Sequence, residues 1–157
     1  MRVYFDTNVL ASALGTRGFC AEVLELVAAR HELLLGTPVL AELERVLAER
    51  FGLDEPTIRR VLDSFRRFPP TPAPAKPPAE HGAVLARIAD PEDRPVVAAA
   101  LAAGAEVLVT GDRALRAELE GARLVAADPR ECWELLRFGE RPGDGEVHES
   151  RPAYGER

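Results

Sequence analysis

The chain has few amide side chains and almost no lysine. Among its 157 residues Asn8 is the only asparagine, Lys76 is the only lysine, and glutamine is absent. A mechanism that needs a lysine would have to use Lys76, which lies in the Pro-rich stretch 68–78, outside any predicted strand or helix. The single asparagine stands two residues after Asp6, directly past the apolar run Val3–Phe5, which favours a functional position for this segment.

Cysteine and histidine are also scarce. Cys20 and Cys132 have no cysteine or histidine at metal-ligand spacing, and the three histidines, His31, His81 and His148, are scattered along the chain. This distribution favours free, buried thiols over a disulfide or a zinc site.

Long apolar runs are missing as well. No stretch approaches the roughly 20 apolar residues that span a bilayer, and the N-terminus has neither a basic segment nor a long apolar segment of the signal-peptide type. We therefore expect no membrane association and a cytoplasmic location. The formal net charge of −6 argues against nucleic-acid binding through the bulk charge of the surface, although it allows a local site.

Strand and helix patterns alternate along the chain. Short apolar runs predict strands at Val3–Phe5, Val107–Thr110 and Leu124–Ala126, and Leu33–Leu35 fits a short buried strand or the entry to a loop. Helical periodicity and capping residues predict helices at Ala21–Ala29, from an N-cap at Thr37, from Asp54, from Pro95 to Gly104, up to about Leu119, and at Pro129–Phe138. This alternation predicts an α/β fold with a parallel sheet that is covered on both faces.

One domain over residues 1–138 accounts for these elements. The stretch 68–78 holds six prolines among eleven residues and predicts an extended connection, while Ala83–Ala89 fits a strand or a helix. Residues 139–157 are rich in Gly, Glu and Arg and have almost no apolar side chains, which predicts a disordered tail.

Acidic residues follow two of the predicted strands and precede one helix. These are Asp6, the pair Asp90 and Asp93, and Asp112 in the run Thr110-Gly111-Asp112. Parallel strands end at one edge of a sheet, so Asp6 and Asp112 can converge there. The alternative is that each of these residues only caps a helix or a turn.

A further acid is expected from the helix that follows Pro38. Glu42 and Glu44 lie on opposite edges of its apolar stripe at 100° per residue, so helical periodicity does not choose between them. Converging carboxylates repel one another and need a cation between them. Without cysteine or histidine ligands, Mg²⁺ or Mn²⁺ fits best, and such a site performs phosphate chemistry.

Four of these segments together resemble the motifs of PIN-domain ribonucleases. They are Phe5–Leu10, Leu40–Leu47, Asp90–Asp93 followed by Val96–Ala100, and Val107–Asp112 followed by Leu115. The closing segment Val125–Leu136 is similar to that of the branch of VapC-like toxins from toxin–antitoxin pairs. The resemblance covers about residues 1–138, and its specificity comes from the order and spacing of the four motifs.

The resemblance implies a three-layer α/β/α fold and an Mg²⁺- or Mn²⁺-dependent endoribonuclease. By motif position, the metal-binding and catalytic acids would be Asp6, Glu42, Asp93 and Asp112, which selects Glu42 over Glu44. Asp90 competes with Asp93, which we favour because it precedes the predicted helix. The supporting polar residues would be Asn8, Thr110 and Asp90, and the substrate contacts would be Arg94 and Arg113. RNA, a protein antitoxin and a second copy of the chain are the implied partners.

Three other functions are considered. A housekeeping RNA-processing nuclease would use the same residues. A haloacid-dehalogenase-like phosphatase would use Asp6 as its nucleophile, but that family also needs a lysine near the site, and Lys76 lies in the Pro-rich stretch. A non-catalytic RNA-binding module would have no need of the complete set of acids.

Overall fold

A computed structural model describes residues 1–139, which form four strands and eight helices. The strands are β1 (Arg2–Phe5), β2 (Glu32–Leu34), β3 (Val107–Val109) and β4 (Val125–Ala127). The helices are α1 (Thr7–Gly15), α2 (Phe19–Arg30), α3 (Thr37–Glu49), α4 (Glu55–Ser64), α5 (Ala79–Ala86), α6 (Asp93–Ala102), α7 (Arg113–Glu118) and α8 (Pro129–Phe138). A disordered tail was predicted over residues 139–157, and residues 140–157 of it lie outside the described part of the chain.

The four strands form one parallel sheet in the order β2-β1-β3-β4. Val3 pairs with Leu33 on one side and with Val107 on the other, and Val107 pairs in turn with Val125. The central strand is therefore the first in the sequence. The predicted α/β fold with a central parallel sheet is confirmed.

Both faces of the sheet are covered by helices. Successive side chains of a strand point to opposite faces, and Val3, Tyr4 and Phe5 are all fully buried, as are the three residues of β3. Strands buried on both faces have continuous apolar sequences instead of alternating ones. This is why short runs such as Val107-Leu108-Val109 carry the strand signal.

Several helix boundaries differ from the predicted ones. Helix α6 begins at Asp93 and not at Pro95. Pro95 therefore lies in the first turn, where a proline is tolerated because the N–H groups there have no intrahelical partner. Gly36, and not Thr37, occupies the N-cap position of α3. Residues Ala83–Ala86 of the segment Ala83–Ala89, which fitted a strand or a helix, belong to helix α5, which begins at Ala79.

The Pro-rich stretch runs beside the outer edge of β2. The N–H of Thr71 donates to the carbonyl of Leu35, and the N–H of Thr37 donates to the carbonyl of Thr71, both at 2.9 Å. Thr71 thus extends the sheet by one residue, and its proline neighbours lack the N–H groups that would continue the pairing. Pairing of this edge with another strand is thereby limited.

Gly36 allows the chain to pass close to the core. A Cβ at this position would overlap the hydroxyl of Tyr4, a fully buried side chain of β1. Cys132 is buried, Cys20 is half-buried, and both thiols are free. Among residues 1–139 no helix combines the length and apolar character needed to cross a membrane.

Candidate active site

The candidate site lies where the strand order changes direction. From β1 the chain moves to β2 on one side of the sheet and later returns to β3 on the other side. In parallel α/β sheets, the crevice at such a switch point, at the carboxyl ends of the strands, is where ligands bind. Asp6 follows β1 directly, and Asp112 lies three residues after β3, so both acids border this crevice.

Asp6 is held by hydrogen bonds to both carboxylate oxygens. Oδ1 accepts from the N–H of Thr7 at 2.8 Å, which caps α1, and Oδ2 accepts from the hydroxyl of Thr110 at 2.7 Å. Burial raises the pKa of Asp6, these two hydrogen bonds lower it in part, and repulsion from Glu42 and Asp112 raises it again. The carboxylate therefore lies in a crowded, acidic and partly desolvated position.

Glu42 reaches the same crevice from α3. The hydroxyl of Thr7, which is almost completely buried, donates to Glu42 Oε2 at 2.8 Å. On its solvent side Glu42 Oε1 lies 3.7 Å from the guanidinium of Arg45. Glu44 is exposed on the other edge of the helix. The tertiary contact through Thr7 distinguishes the two glutamates, which helical periodicity did not.

Asp112 has a structural contact as well as a position at the crevice. Its Oδ1 accepts from the N–H of Leu115 at 3.0 Å and caps α7. Its own N–H donates to the hydroxyl of Thr110 at 3.2 Å. Thr110 is fully buried and connects Asp6 to the segment that carries Asp112.

Asp93 and Asp90 approach from the start of α6. Asp93 is half-buried, and burial, followed by repulsion from Asp90, Asp6 and Asp112, raises its pKa to about 6. Asp90 is exposed, and its Oδ1 accepts from the N–H of Glu92 at 2.9 Å, as is typical of a turn residue. Asp93 is the more enclosed of the two.

The remaining predicted site residues are exposed and differ in their contacts. The Nε of Arg94 donates to the carbonyl of Ile88 at 3.0 Å, so this arginine braces the loop that carries Asp90. Arg113 begins α7 beside Asp112. Asn8 lies in the first turn of α1, and its amide makes no hydrogen bond to residues 1–139.

Two residues of this region were not identified from the sequence. Thr7 holds Glu42, and a buried threonine directly after a strand-end acid is the signal that could have indicated it. Glu118 of α7 accepts from the N–H of Ala89 at 3.2 Å and adds to the repulsion that raises the pKa of Asp93. No sequence pattern indicates Glu118, because its partner lies 29 residues away.

The carboxylates suit a hydrated divalent cation better than a closed protein cage. Within residues 1–139, no three acidic, histidine or cysteine side chains are close enough together to hold a metal ion as they stand. Mg²⁺ typically keeps several waters and binds through one or two carboxylates together with substrate phosphates. Several carboxylates with mutual repulsion and without cysteine or histidine therefore fit Mg²⁺ or Mn²⁺.

The comparisons with known proteins agree with this architecture. A solved chain from the crystal structure of VapBC2 from Rickettsia felis bound to a DNA fragment from their promoter superposes with a TM-score of 0.61. The two chains are 20% identical over 82% of this chain and 98% of the other, which shows a shared fold. No curated protein matches the chain.

The family model of the PIN domain matches residues 2–114, which include Asp6, Glu42, Asp93 and Asp112. The chain belongs to the PIN domain family.

Proposed function

We propose that this protein is an endoribonuclease that hydrolyses RNA phosphodiester bonds with Mg²⁺ or Mn²⁺. The ion would be held by Asp6, Glu42, Asp93 and Asp112. The family assignment supports nuclease activity, since PIN domains are generally nucleases.

One observation carries the proposal. Carboxylates from three separate elements face one crevice, and two buried threonine hydroxyls orient two of them, at 2.8 Å to Glu42 and 2.7 Å to Asp6. Capping alone would account for Asp6 and Asp112, but Glu42 lies in the interior of α3 and caps nothing. Acids that repel one another and are nevertheless held in place favour a cation-binding site over a structural role.

The chain's own residues would orient this chemistry. When bound, a divalent ion supplies activation of a water molecule and neutralises charge on the phosphate. Thr110 fixes the carboxylate of Asp6, and Thr7 fixes that of Glu42. Outer partners of this kind orient metal ligands, and their loss typically reduces metal affinity or activity about 10- to 100-fold. Arg94 and Arg113, which directly follow Asp93 and Asp112, are the groups proposed to bind the RNA backbone, and Asn8 is a supporting polar group.

We further propose that the nuclease is the toxin of a toxin–antitoxin pair and that a protein antitoxin is its partner. The fold shared with a chain of the VapBC2 complex and the closing segment Val125–Leu136 support this role. A housekeeping RNA-processing enzyme is the second candidate for the biological role. Expression in a bacterial host separates the two, since a toxin arrests growth and its Asp112→Asn variant does not.

The proposed activity is tested by cleavage of a labelled single-stranded RNA. Asp6→Asn and Asp112→Asn remove one charge each, and asparagine caps helices about as well as aspartate, so both variants should remain folded. We expect cleavage with Mn²⁺ by the wild type, none with EDTA, and at least about a 100-fold loss in each variant.

Asp54→Asn is the matched control. Asp54 caps α4 through the N–H of Thr57 at 3.0 Å, as Asp112 caps α7, and both residues are exposed, but Asp54 begins a different helix. This variant should cleave like the wild type. Hydrolysis of a small phosphomonoester in place of RNA would instead indicate a phosphatase, and absence of any cleavage would indicate a binding module.

A further inference from the structure

A small cavity lies between α1 and the end of α3. Its volume is about 260 Å³. Three residues of α1 line it, Asn8, Ala11 and Ser12, together with Arg50 and Phe51 just after α3. Asn8 directly follows Thr7, whose hydroxyl donates to Glu42, so the cavity lies near the crevice. The small, buried side chain of Ala11 leaves the space between the other four.

The polar groups that line this cavity have free hydrogen-bonding capacity. Within residues 1–139, neither the guanidinium of Arg50 nor the amide of Asn8 forms an ion pair or a hydrogen bond. The arginines within α3 and α4 do have partners, such as Arg45 with Glu42 and Arg59 with Glu55. Arg50 therefore offers its five N–H donors to a ligand.

Phe51 presents an aromatic ring that is held from one side. The residue is 44% exposed, whereas phenylalanine side chains are most often buried. A Cβ at Gly15 would lie 2.7 Å from Phe51 Cε1, so the ring rests against the end of α1, where no side chain intervenes. This contact positions one face or edge of the ring, while the exposed part remains available for a planar partner.

The negative charge of the crevice favours a cation such as Arg50 beside it. The crevice holds several carboxylates, and the whole chain carries a formal net charge of −6, so a phosphate chain is repelled on approach. A cation beside the acids offsets that repulsion for one phosphate. Arg50 is suited to this role because its planar guanidinium can bind phosphate oxygens with two N–H groups.

We infer that this cavity binds one nucleotide of the RNA strand next to the bond that is cleaved. Phe51 stacks on the base, Arg50 binds its phosphate, and Asn8 and Ser12 donate to base or ribose oxygens. Stacking on an aromatic side chain together with a nearby cation is the usual mode of single-strand binding without strict sequence preference. The assignment of RNA as the ligand rests on the proposed function, whereas the cavity and its free donors do not.

Binding without cleavage is the appropriate test. A short, fluorescein-labelled single-stranded RNA of mixed sequence is titrated with the full chain in EDTA, and the dissociation constant is measured by anisotropy. We expect Phe51→Ala and Arg50→Ala each to weaken RNA binding about tenfold. For Phe51 this lies near the lower end of the range for stacking of a base on an aromatic side chain, because the ring is half-exposed. Phe51→Trp should retain the affinity, and Phe51→Leu should behave like Phe51→Ala.

Two exposed residues of the same types serve as controls for these variants. Phe138 is 68% exposed and Arg123 is exposed, and neither lines the cavity. Phe138→Ala and Arg123→Ala should bind the RNA like the wild type. If Phe51→Ala and Arg50→Ala also bind like the wild type, the inference is wrong.

Gly15→Ala tests the position of the ring without altering any residue that would contact RNA. The added methyl group displaces the ring of Phe51, and we expect RNA affinity to fall while the melting temperature stays the same or rises, since alanine favours a helix over glycine. Unchanged affinity would show that the contact between the Phe51 ring and Gly15 has no role in RNA binding.

The inference and the proposed function can fail separately. RNA binding that depends on Phe51 and Arg50, without Mn²⁺-dependent cleavage, would support the nucleotide site and reject the nuclease. Cleavage that depends on Asp112, with RNA affinity unaffected by Phe51 and Arg50, would support the nuclease and reject the nucleotide site.

Discussion

The hydroxyl of Thr110 donates to Asp6 Oδ2 at 2.7 Å, across the boundary between two neighbouring strands. Thr110 follows β3 and Asp6 follows β1, and the N–H of Asp6 donates in turn to the carbonyl of Val109 at 2.9 Å. The register of the sheet therefore brings a buried donor to the acid. Hydrogen bonds to a carboxylate favour its ionised form, which burial and neighbouring acids oppose.

Replacing Thr110 by valine should weaken both stability and activity. The side chain keeps its shape but loses the hydroxyl, so Asp6 Oδ2 loses its partner and the pKa of Asp6 rises further. We expect the free energy of unfolding to fall by about 1–3 kcal/mol, as for an unsatisfied buried partner. RNA cleavage should fall about 10- to 100-fold. Thr110→Ser keeps the hydroxyl and should restore most of both; equal behaviour of the two variants would contradict the role of the hydrogen bond.

Glu42 and Glu44 provide a matched pair of substitutions on one helix. Glu42→Gln keeps an oxygen that can accept from the Thr7 hydroxyl but removes the charge that faces Asp6, so the fold should persist and RNA cleavage should fall at least about 100-fold. Glu44→Gln alters an exposed residue and should change stability by less than about 0.5 kcal/mol and leave cleavage unchanged. A loss of cleavage in Glu44→Gln alone would mean that the wrong glutamate has been assigned.

Divalent metal should stabilise the folded protein. A ligand that binds only the folded state adds about 2.7 kcal/mol when its concentration is 100 times the dissociation constant. Mn²⁺ or Mg²⁺ at millimolar concentration should therefore raise the melting temperature, with NaCl at matched ionic strength as the control. The shift should shrink in Asp112→Asn. A melting temperature that does not respond to either ion would count strongly against the site.

Asp93 should make the metal-free protein less stable as the pH rises. Its pKa is raised from 3.8 to about 6, so between these values the folded state binds more protons than the unfolded state and the free energy of unfolding falls with increasing pH. Asp93→Asn removes this penalty. In EDTA the variant should be more stable than the wild type above about pH 6 and equal to it near pH 4.

Asp54→Asn is the control for that pH series. Hydrogen bonds from Thr57 lower the pKa of Asp54, so its ionised form stabilises the folded state above the unfolded pKa, and this contribution is lost as the pH falls. The Asp54 variant should therefore be no more stable than the wild type at neutral pH. Chemical denaturation across the pH range measures both differences, and a pH-independent difference for Asp93→Asn would contradict the raised pKa.

Local patterns in the sequence were sufficient for the fold class and for most elements. Apolar runs without alternation mark β1 and β3 because both strands are buried on both faces, and Asp128-Pro129 marks the start of α8 through a cap and a first-turn proline. Boundaries were less certain where local signals permit two answers. Pro95 is compatible with a helix that starts at Pro95 or two residues earlier, and only the loop that Asp90 and Arg94 brace places the start at Asp93.

The sequence by itself determined the parallel α/β architecture and the positions of Asp6 and Asp112 at strand ends, because strand runs, caps and the motif order are properties of neighbouring residues. The tertiary structure alone decided which side chains meet. Thr7 and Glu42 are 35 residues apart, and Asp6 and Thr110 are 104 apart. Such pairs form only when the strand order and the helix packing bring distant parts of the chain together, and no local periodicity encodes contacts between residues so far apart in the sequence. Phe51 and Gly15, which define the further cavity, meet for the same reason.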